Sequence, residues 1–286
     1  MKYALFLGCK IPYYIEQYDS STRALFDLFD MDWVDIKFNC CGYPIRNLNF
    51  ESYILSAARN MALAERKQVD ILTPCKCCYG SFKHAQFYLQ NYKELKDKVN
   101  EILKKENLMW NNHSKVKHIL TVLHDEIGIQ RLRTKIKNRL KTLKVAVHYG
   151  CHALRPSHIT HFDNPLNPSI FEHIIEITEA PLINWSKKLE CCGHPIWGKN
   201  DKLSLDLMQK KIDDAIQAGA DVLCTACSYC QIQFDDIQIQ QLSPAQTQLD
   251  TVLVTQLLGL SMGIEEMQLG IHKNKTNAKK IYDYVN

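Results

Sequence analysis

Four short apolar runs along the chain each stop at a cysteine. "KYALFLGC" (2 to 9), "VDILTPC" (69 to 75), "KVAVHYGC" (144 to 151) and "ADVLCTAC" (220 to 227) have the length of buried strands. The first and third end in Gly-Cys, as a strand does when it stops at a sharp turn. The other two each follow a helical pattern, "ESYILSAARNMALAERKQ" (51 to 68) and "LDLMQKKIDDAIQAGA" (205 to 220), in which apolar residues recur three and four positions apart. Strand, connection, helix, strand is the order of a parallel α/β unit, and it occurs twice.

The remaining stretches predict helices and loops. Residues 85 to 143 alternate charged with apolar positions, as in "ELKDKVNEILKKENL" and "RLRTKIKNRLKTL", which reads as a pair of surface helices or a helical connector, with "NNHSK" (111 to 115) a loop. "VLVTQLLGLSMGI" (252 to 264) is too short, and too rich in Thr, Gln and Ser, to span a bilayer, and predicts a core or interface helix. "HKNKTNAKK" (272 to 280) reads as a basic tail, either solvated or docking a partner. The division expected is a first unit over 1–143, including the helical connector, and a second over 144–286, including a C-terminal helical tail.

Composition sharpens this picture. In 286 residues, 46% are hydrophobic and 23% charged, the proportions of a globular protein with room for two cores. The net charge of +4 is small, and its cations are dispersed, which argues against nucleic acid as the main partner. The N-terminus has no cleavage signal and no segment reads as a membrane span, so a cytoplasmic location is expected.

Twelve cysteines are the anomaly. Reducing conditions disfavour structural disulfides, so clustered cysteines point to metal or redox chemistry. They fall into one order, repeated: Cys9, then Cys40-Cys41-Gly42, then Cys75 and Cys78; and Cys151, then Cys191-Cys192-Gly193, then Cys227 and Cys230. The separations are 31 and 40 residues before Cys-Cys-Gly, and 34 and 35 after it, which implies an internal duplication. The fold expected is α/β, with two duplicated Rossmann-like parallel-sheet domains and the cysteines at the C-terminal ends of the strands, where open sheets bind ligands. Neighbouring side chains on an extended strand face opposite ways, so Gly42 and Gly193 are expected to turn the backbone and bring both thiols to one centre, with Pro44 and Pro195 stiffening the exit. Five thiolates exceed the four of tetrahedral zinc or an ordinary four-iron cluster, which points to an iron–sulfur centre of unusual ligation. Cys77 and Cys224 lie outside the repeat, each either a spectator or a participant.

These motifs, with "MKYALFLGC", "AARNMALAE", "VHYGCHALRPSH" and "CSYCQIQFD", resemble the cysteine-rich CCG-domain family, and within it the B-type subunits of heterodisulfide reductases, over roughly residues 1 to 240. The resemblance implies two noncubane 4Fe–4S clusters, one held by Cys9, Cys40, Cys41, Cys75 and Cys78, the other by Cys151, Cys191, Cys192, Cys227 and Cys230. It implies a disulfide substrate between them, the coenzyme M–coenzyme B heterodisulfide or an analogue, split homolytically with each sulfur captured by an iron. The partners it implies are a ferredoxin-like C-type subunit, which delivers electrons, and a flavin-containing A-type subunit. The chain itself carries no Gly-rich dinucleotide fingerprint.

Disulfide reduction consumes two protons, and histidine is their usual donor. His152, beside Cys151, is the first candidate and His194, beside Cys192, the second. Lys10, Arg46, Lys76, Arg155 and Lys199 would draw an anionic thiol toward the cleft, unless simply solvated. Two other readings stand beside disulfide reduction. One is an electron-transfer or sulfur-handling component of a related complex, in sulfur oxidation, thiol-driven fumarate reduction, or lactate or glycolate oxidation. The other is a one-cluster protein with structural zinc in the second repeat.

Overall fold

The computed structural model describes residues 2–243 and 246–285. Strands β1 (Lys2–Leu5), β2 (Asp32–Trp33), β3 (Asp70–Thr73) and β4 (Val116–His118) form a parallel sheet in the order β2-β1-β3-β4. Strands β5 (Val145–His148), β6 (Val222–Thr225) and β7 (Asp250–Leu253) form a second parallel sheet in the order β5-β6-β7. On its free edge Leu182 bridges Val145, as Trp33 pairs with Tyr3 in the first sheet. The second sheet thus repeats the first with its edge strand cut to a single residue.

Helices cover the faces of these sheets, and so β5 and β6 are buried along their whole length. The two helices expected between the strands run Phe50–Arg66 and Asp201–Gln217, each starting at an asparagine cap: Asn49 Oδ1 accepts from Ser52 N (2.8 Å) and Asn200 Oδ1 from Leu203 N (3.1 Å). Each gives way to a residue in the left-handed region, Gln68 (φ +55°) and Gly219 (φ +92°), which turns the chain back toward the sheet.

Three stretches differ from expectation. The presumed connector contains β4, whose Val116 and His118 are buried; three residues between polar loops are too few to print an alternation. The apolar run near 252 divides into β7 and the helix Val254–Ser261, and continuous hydrophobicity hides that boundary. The basic tail is packed rather than free. Asp235 accepts hydrogen bonds from Lys275 N, Thr276 N and Thr276 Oγ1 (2.8, 2.8 and 2.9 Å), and Asn274 Nδ2 donates to Thr251 O (2.9 Å).

The halves are interlocked. Helix Val254–Ser261, buried throughout, lies against Gln17–Asp27 of the first half, where Thr255 Oγ1 and Ser21 Oγ are 2.6 Å apart. Helix Lys76–Asn91 packs on the loop after β5; a Cβ on Gly80 would stand 2.5 Å from His152 O, so only glycine allows this approach. That contact brings the carboxyl ends of β1, β3, β5 and β6 to one junction.

Candidate metal centre

The cysteines are set by matched backbone features. β1 and β5 lead through Gly8 (φ +68°) and Gly150 (φ +69°) into Cys9 and Cys151. Gly42 (φ +84°) and Gly193 (φ +91°) make the Cys-Cys-Gly turns, and an added Cβ would lie 2.7 Å from Tyr53 O and 2.5 Å from Ser204 O. The glycines thus serve both the turn and its close seat on the following helix. Cys75 and Cys227, extended, cap the helices that begin at Lys76 and Ser228, where unpaired N–H groups favour an anionic sulfur.

The thiols converge in the two sets that the repeat order predicts. In the first, Cys9 Sγ and Cys40 Sγ are 3.7 Å apart, Cys41 neighbours Cys40 and Cys78, and Cys78 neighbours Cys75. In the second, Cys151 meets Cys191, Cys191 meets Cys192, Cys192 meets Cys230, and Cys230 meets Cys227. None is in a disulfide. Equivalent members behave alike. Hydrogen bonds from Cys41 and Cys9 hold Cys40 down to about 3, and those from Cys151 and Cys192 hold Cys191 down to about 2. Burial pushes Cys227 up, but hydrogen bonds from Cys230, Cys75 and Cys77 outweigh it and hold this thiol well below the usual range.

The sets abut. Cys75 and Cys227, equivalent positions, have sulfurs 4.0 Å apart, and Cys77 Sγ lies 3.8 Å from Cys227 Sγ. These three sulfurs lie within 4.8 Å of one another. Cys77, unmatched in the second half, therefore participates in the junction. Cys224 does not: it occupies the strand position of Leu72, pairs in register with Val147, and burial pushes its thiol up.

Around the junction the halves exchange side chains. His152 Nε2 lies 2.5 Å from Tyr43 OH, and its Nδ1 3.2 Å from Cys77 Sγ; burial holds its ring below the usual histidine range. His194 occupies the position of Tyr43. It packs edge-on to Tyr229 (centroids 4.7 Å apart), its Nδ1 is 3.1 Å from Gln233 Oε1, and burial lowers it to about 4. Of the two candidate histidines, only His152 makes a side-chain contact across the junction to Cys77. A narrow crevice of about 10 Å³, room for about one water molecule, lies between Lys76, Cys77, Cys151, His152, Tyr229 and Cys230.

The expected cations divide. Arg46 stacks on Tyr43 (3.7 Å) and Lys10 lies over Tyr229 (5.7 Å), both at the junction, whereas Arg155 and Lys199 are exposed. Lys76 is 2% exposed and crosses into the second half, donating to Tyr149 O (3.0 Å). Three further residues beside the second set escaped sequence reasoning. Lys211, 1% exposed, donates to Lys187 O, and His148 is buried with both ring nitrogens unpartnered. Tyr229 lines the crevice. Aligning the two halves by their cysteines exposes all three as positions where the repeats differ.

The residues fit an anionic inorganic group with soft ligands. Each half offers five convergent thiols and no carboxylate among them. Lys76 and Lys211 make no ion pair with a carboxylate among the described residues, and a buried ammonium needs a compensating anion. Among the described residues no helix is long and apolar enough to cross a membrane.

Comparison with known proteins agrees with this geometry. The Cysteine-rich domain family, CCG, matches residues 3–83 and 145–235, the two cysteine-bearing segments. The B-type subunit of a ferredoxin:CoB-CoM heterodisulfide reductase from Methanosarcina mazei is 32% identical over 96% of this chain and 93% of its own length. An 8-methylmenaquinol:fumarate reductase membrane anchor subunit from Wolinella succinogenes is 30% identical over 98% of this chain and 99% of its own. In fold, a crystal structure of a hypothetical protein from Helicobacter pylori aligns with a TM-score of 0.73 at 15% identity, covering 96% of this chain and 51% of that one. With both repeats matched and their thiols gathered in the same order, the chain belongs to the cysteine-rich CCG-domain family, as a member similar to the B-type subunits of heterodisulfide reductases.

Proposed function

We propose that this chain is the disulfide-reducing component of a heterodisulfide-reductase-type complex, with two noncubane 4Fe–4S groups. Cys9, Cys40, Cys41, Cys75 and Cys78 would hold one, and Cys151, Cys191, Cys192, Cys227 and Cys230 the other. The observation that carries this reading is the meeting of two equivalent five-thiol sets at one junction. When bound, such groups supply iron sites for sulfur and one-electron storage.

The chain's own residues account for the rest. Reduction takes a disulfide, two electrons and two protons to two thiols. His152, between Tyr43 and Cys77, holds a proton at the junction and delivers it to a departing sulfur. Arg46 and Lys10, seated on aromatic rings, give the mouth a positive face for anionic thiols. Cys77 and Tyr229 line the narrow space between the sets and leave room for little water. Electrons come from a ferredoxin-like C-type subunit, and a flavin-containing A-type subunit completes the complex.

A second reading rests on the Wolinella succinogenes relative, which matches this chain end to end. Here the same sets pass electrons in a fumarate-reducing complex. Iron, zinc and acid-labile sulfide in anaerobically purified protein test the cofactor assignment. About eight irons and eight sulfides per chain are expected, the sum of two 4Fe–4S groups. About four irons with one zinc would contradict it. Reduction of disulfides by the loaded protein with a viologen donor then separates the two readings.

A further inference from the structure

The sets are alike in their thiols and unlike in what stands behind them. Where the first half has Asn60, donating to Asn39 O and Cys40 O (both 3.1 Å), the second has Lys211 on the equivalent turn of its helix. Where the first has Phe6, the second has His148. An added Cβ on Gly150 would touch both His148 Nε2 (3.4 Å) and Cys230 Sγ (3.5 Å), so the unpartnered imidazole and the thiol line the same small space. Lys76 adds a second buried ammonium on this side, held by Tyr149 O and lying over the Tyr149 and Phe171 rings (5.0 and 4.9 Å). The carboxylates whose charges reach these lysines, Glu172 and Glu190, lie outside ion-pair distance of them, and Glu172 is paired with Lys188 (3.0 Å). The first set faces Lys10, which is only half-buried and screened by water.

A reduced centre carries one more negative charge than its oxidised form. Buried cations and imidazole N–H groups close to such a centre stabilise that form selectively. Resting on the two-centre reading above, we propose that the centre held by Cys151, Cys191, Cys192, Cys227 and Cys230 has the higher reduction potential of the two. Lys211, Lys76 and His148 are the positioning residues that set the difference. The first electron from a one-electron iron–sulfur donor therefore comes to rest on the second half. The step moves one electron from the reduced donor to the oxidised centre and breaks no bond.

A mediated redox titration of the full, iron-loaded chain, followed by electron paramagnetic resonance with dithionite as reductant, tests this. Two couples are expected in the unaltered chain. Cys41→Ala should leave only the upper couple and Cys192→Ala only the lower. Lys211→Asn, which copies the first half, should lower the upper couple by at least tenfold in its equilibrium constant, about 59 mV for one electron, and leave the lower couple unmoved. His148→Phe should act in the same direction but less, and Lys211→Arg should restore the potential. The proposal is overturned if Cys41→Ala leaves the lower couple, or if Lys211→Asn keeps its iron and moves neither couple. If Lys211→Asn loses iron, the order seen in the two cysteine variants decides alone. Iron for a single group in the unaltered chain would instead remove the two-centre reading, and this inference with it.

Discussion

Cys40-Cys41-Gly42 and Cys191-Cys192-Gly193 share their turn, their glycine in the left-handed region, and their close seat on the next helix, whereas the residues behind them diverge from Asn60 to Lys211 and from Phe6 to His148. The divergence extends to the junction, where Tyr43 and Cys77 of the first half stand at the positions of His194 and Tyr229 in the second. Duplication built two identical grips, and substitution around them made the grips inequivalent. Under the proposed function, a one-electron iron–sulfur donor must reduce the disulfide in two successive steps, and a pair of matched holders with unmatched surroundings suits that sequence.

The largest effect that tests this comparison comes from the grips. Cys41→Ala and Cys192→Ala should each abolish disulfide reduction, losing more than the roughly 100-fold expected for an outer partner of a metal ligand. Circular dichroism should show the α/β fold largely intact. Full activity in either variant would break the equivalence.

The histidines should separate next. His152→Asn should lower kcat by about 100-fold, the low end for a proton-transferring group, and His194→Asn by roughly tenfold or less, because His194 Nδ1 is tied to Gln233 whereas His152 Nδ1 meets Cys77 at the junction. Equal losses would mean that both rings merely pack.

Glycine replacement measures the turns independently of chemistry. Gly42→Ala and Gly193→Ala should each cost about 2–4 kcal/mol in denaturant titrations, from the left-handed backbone and the backbone atom below 3 Å from the new Cβ. Matching costs in the two halves would sharpen the comparison. The smallest effect belongs to Cys224→Ala, which should leave iron content unchanged and cost about 1 kcal/mol of stability, since this thiol sits at a strand-core position. Loss of iron there would bring Cys224 into the second set.

Much of the site is legible in the sequence because its parts are local. A strand ending in Gly-Cys, a Cys-Cys-Gly turn and a cysteine at a helix start are each written within a few residues, and their order reveals the duplication. β2, β4 and Leu182 escape because two or three residues, or one, cannot print a period. Lys76 reads as a cation that draws anionic thiols or is simply solvated, yet it is buried, because its environment comes from Tyr149 and Phe171 on the other half. His148 reads as one polar residue in a strand, and its meaning appears only when β5 is set against β1 and faces Phe6 in alignment. What local chemistry dictates is readable, and what the junction between halves dictates is not.

Iron and acid-labile sulfide measured side by side in the unaltered chain, Cys41→Ala and Cys192→Ala, purified anaerobically, test the equivalence of the two grips most directly. About eight irons in the parent and about four in each variant are expected, one 4Fe–4S group surviving each time. Full iron content in one variant, or complete loss in the other, would contradict two independent and equivalent centres.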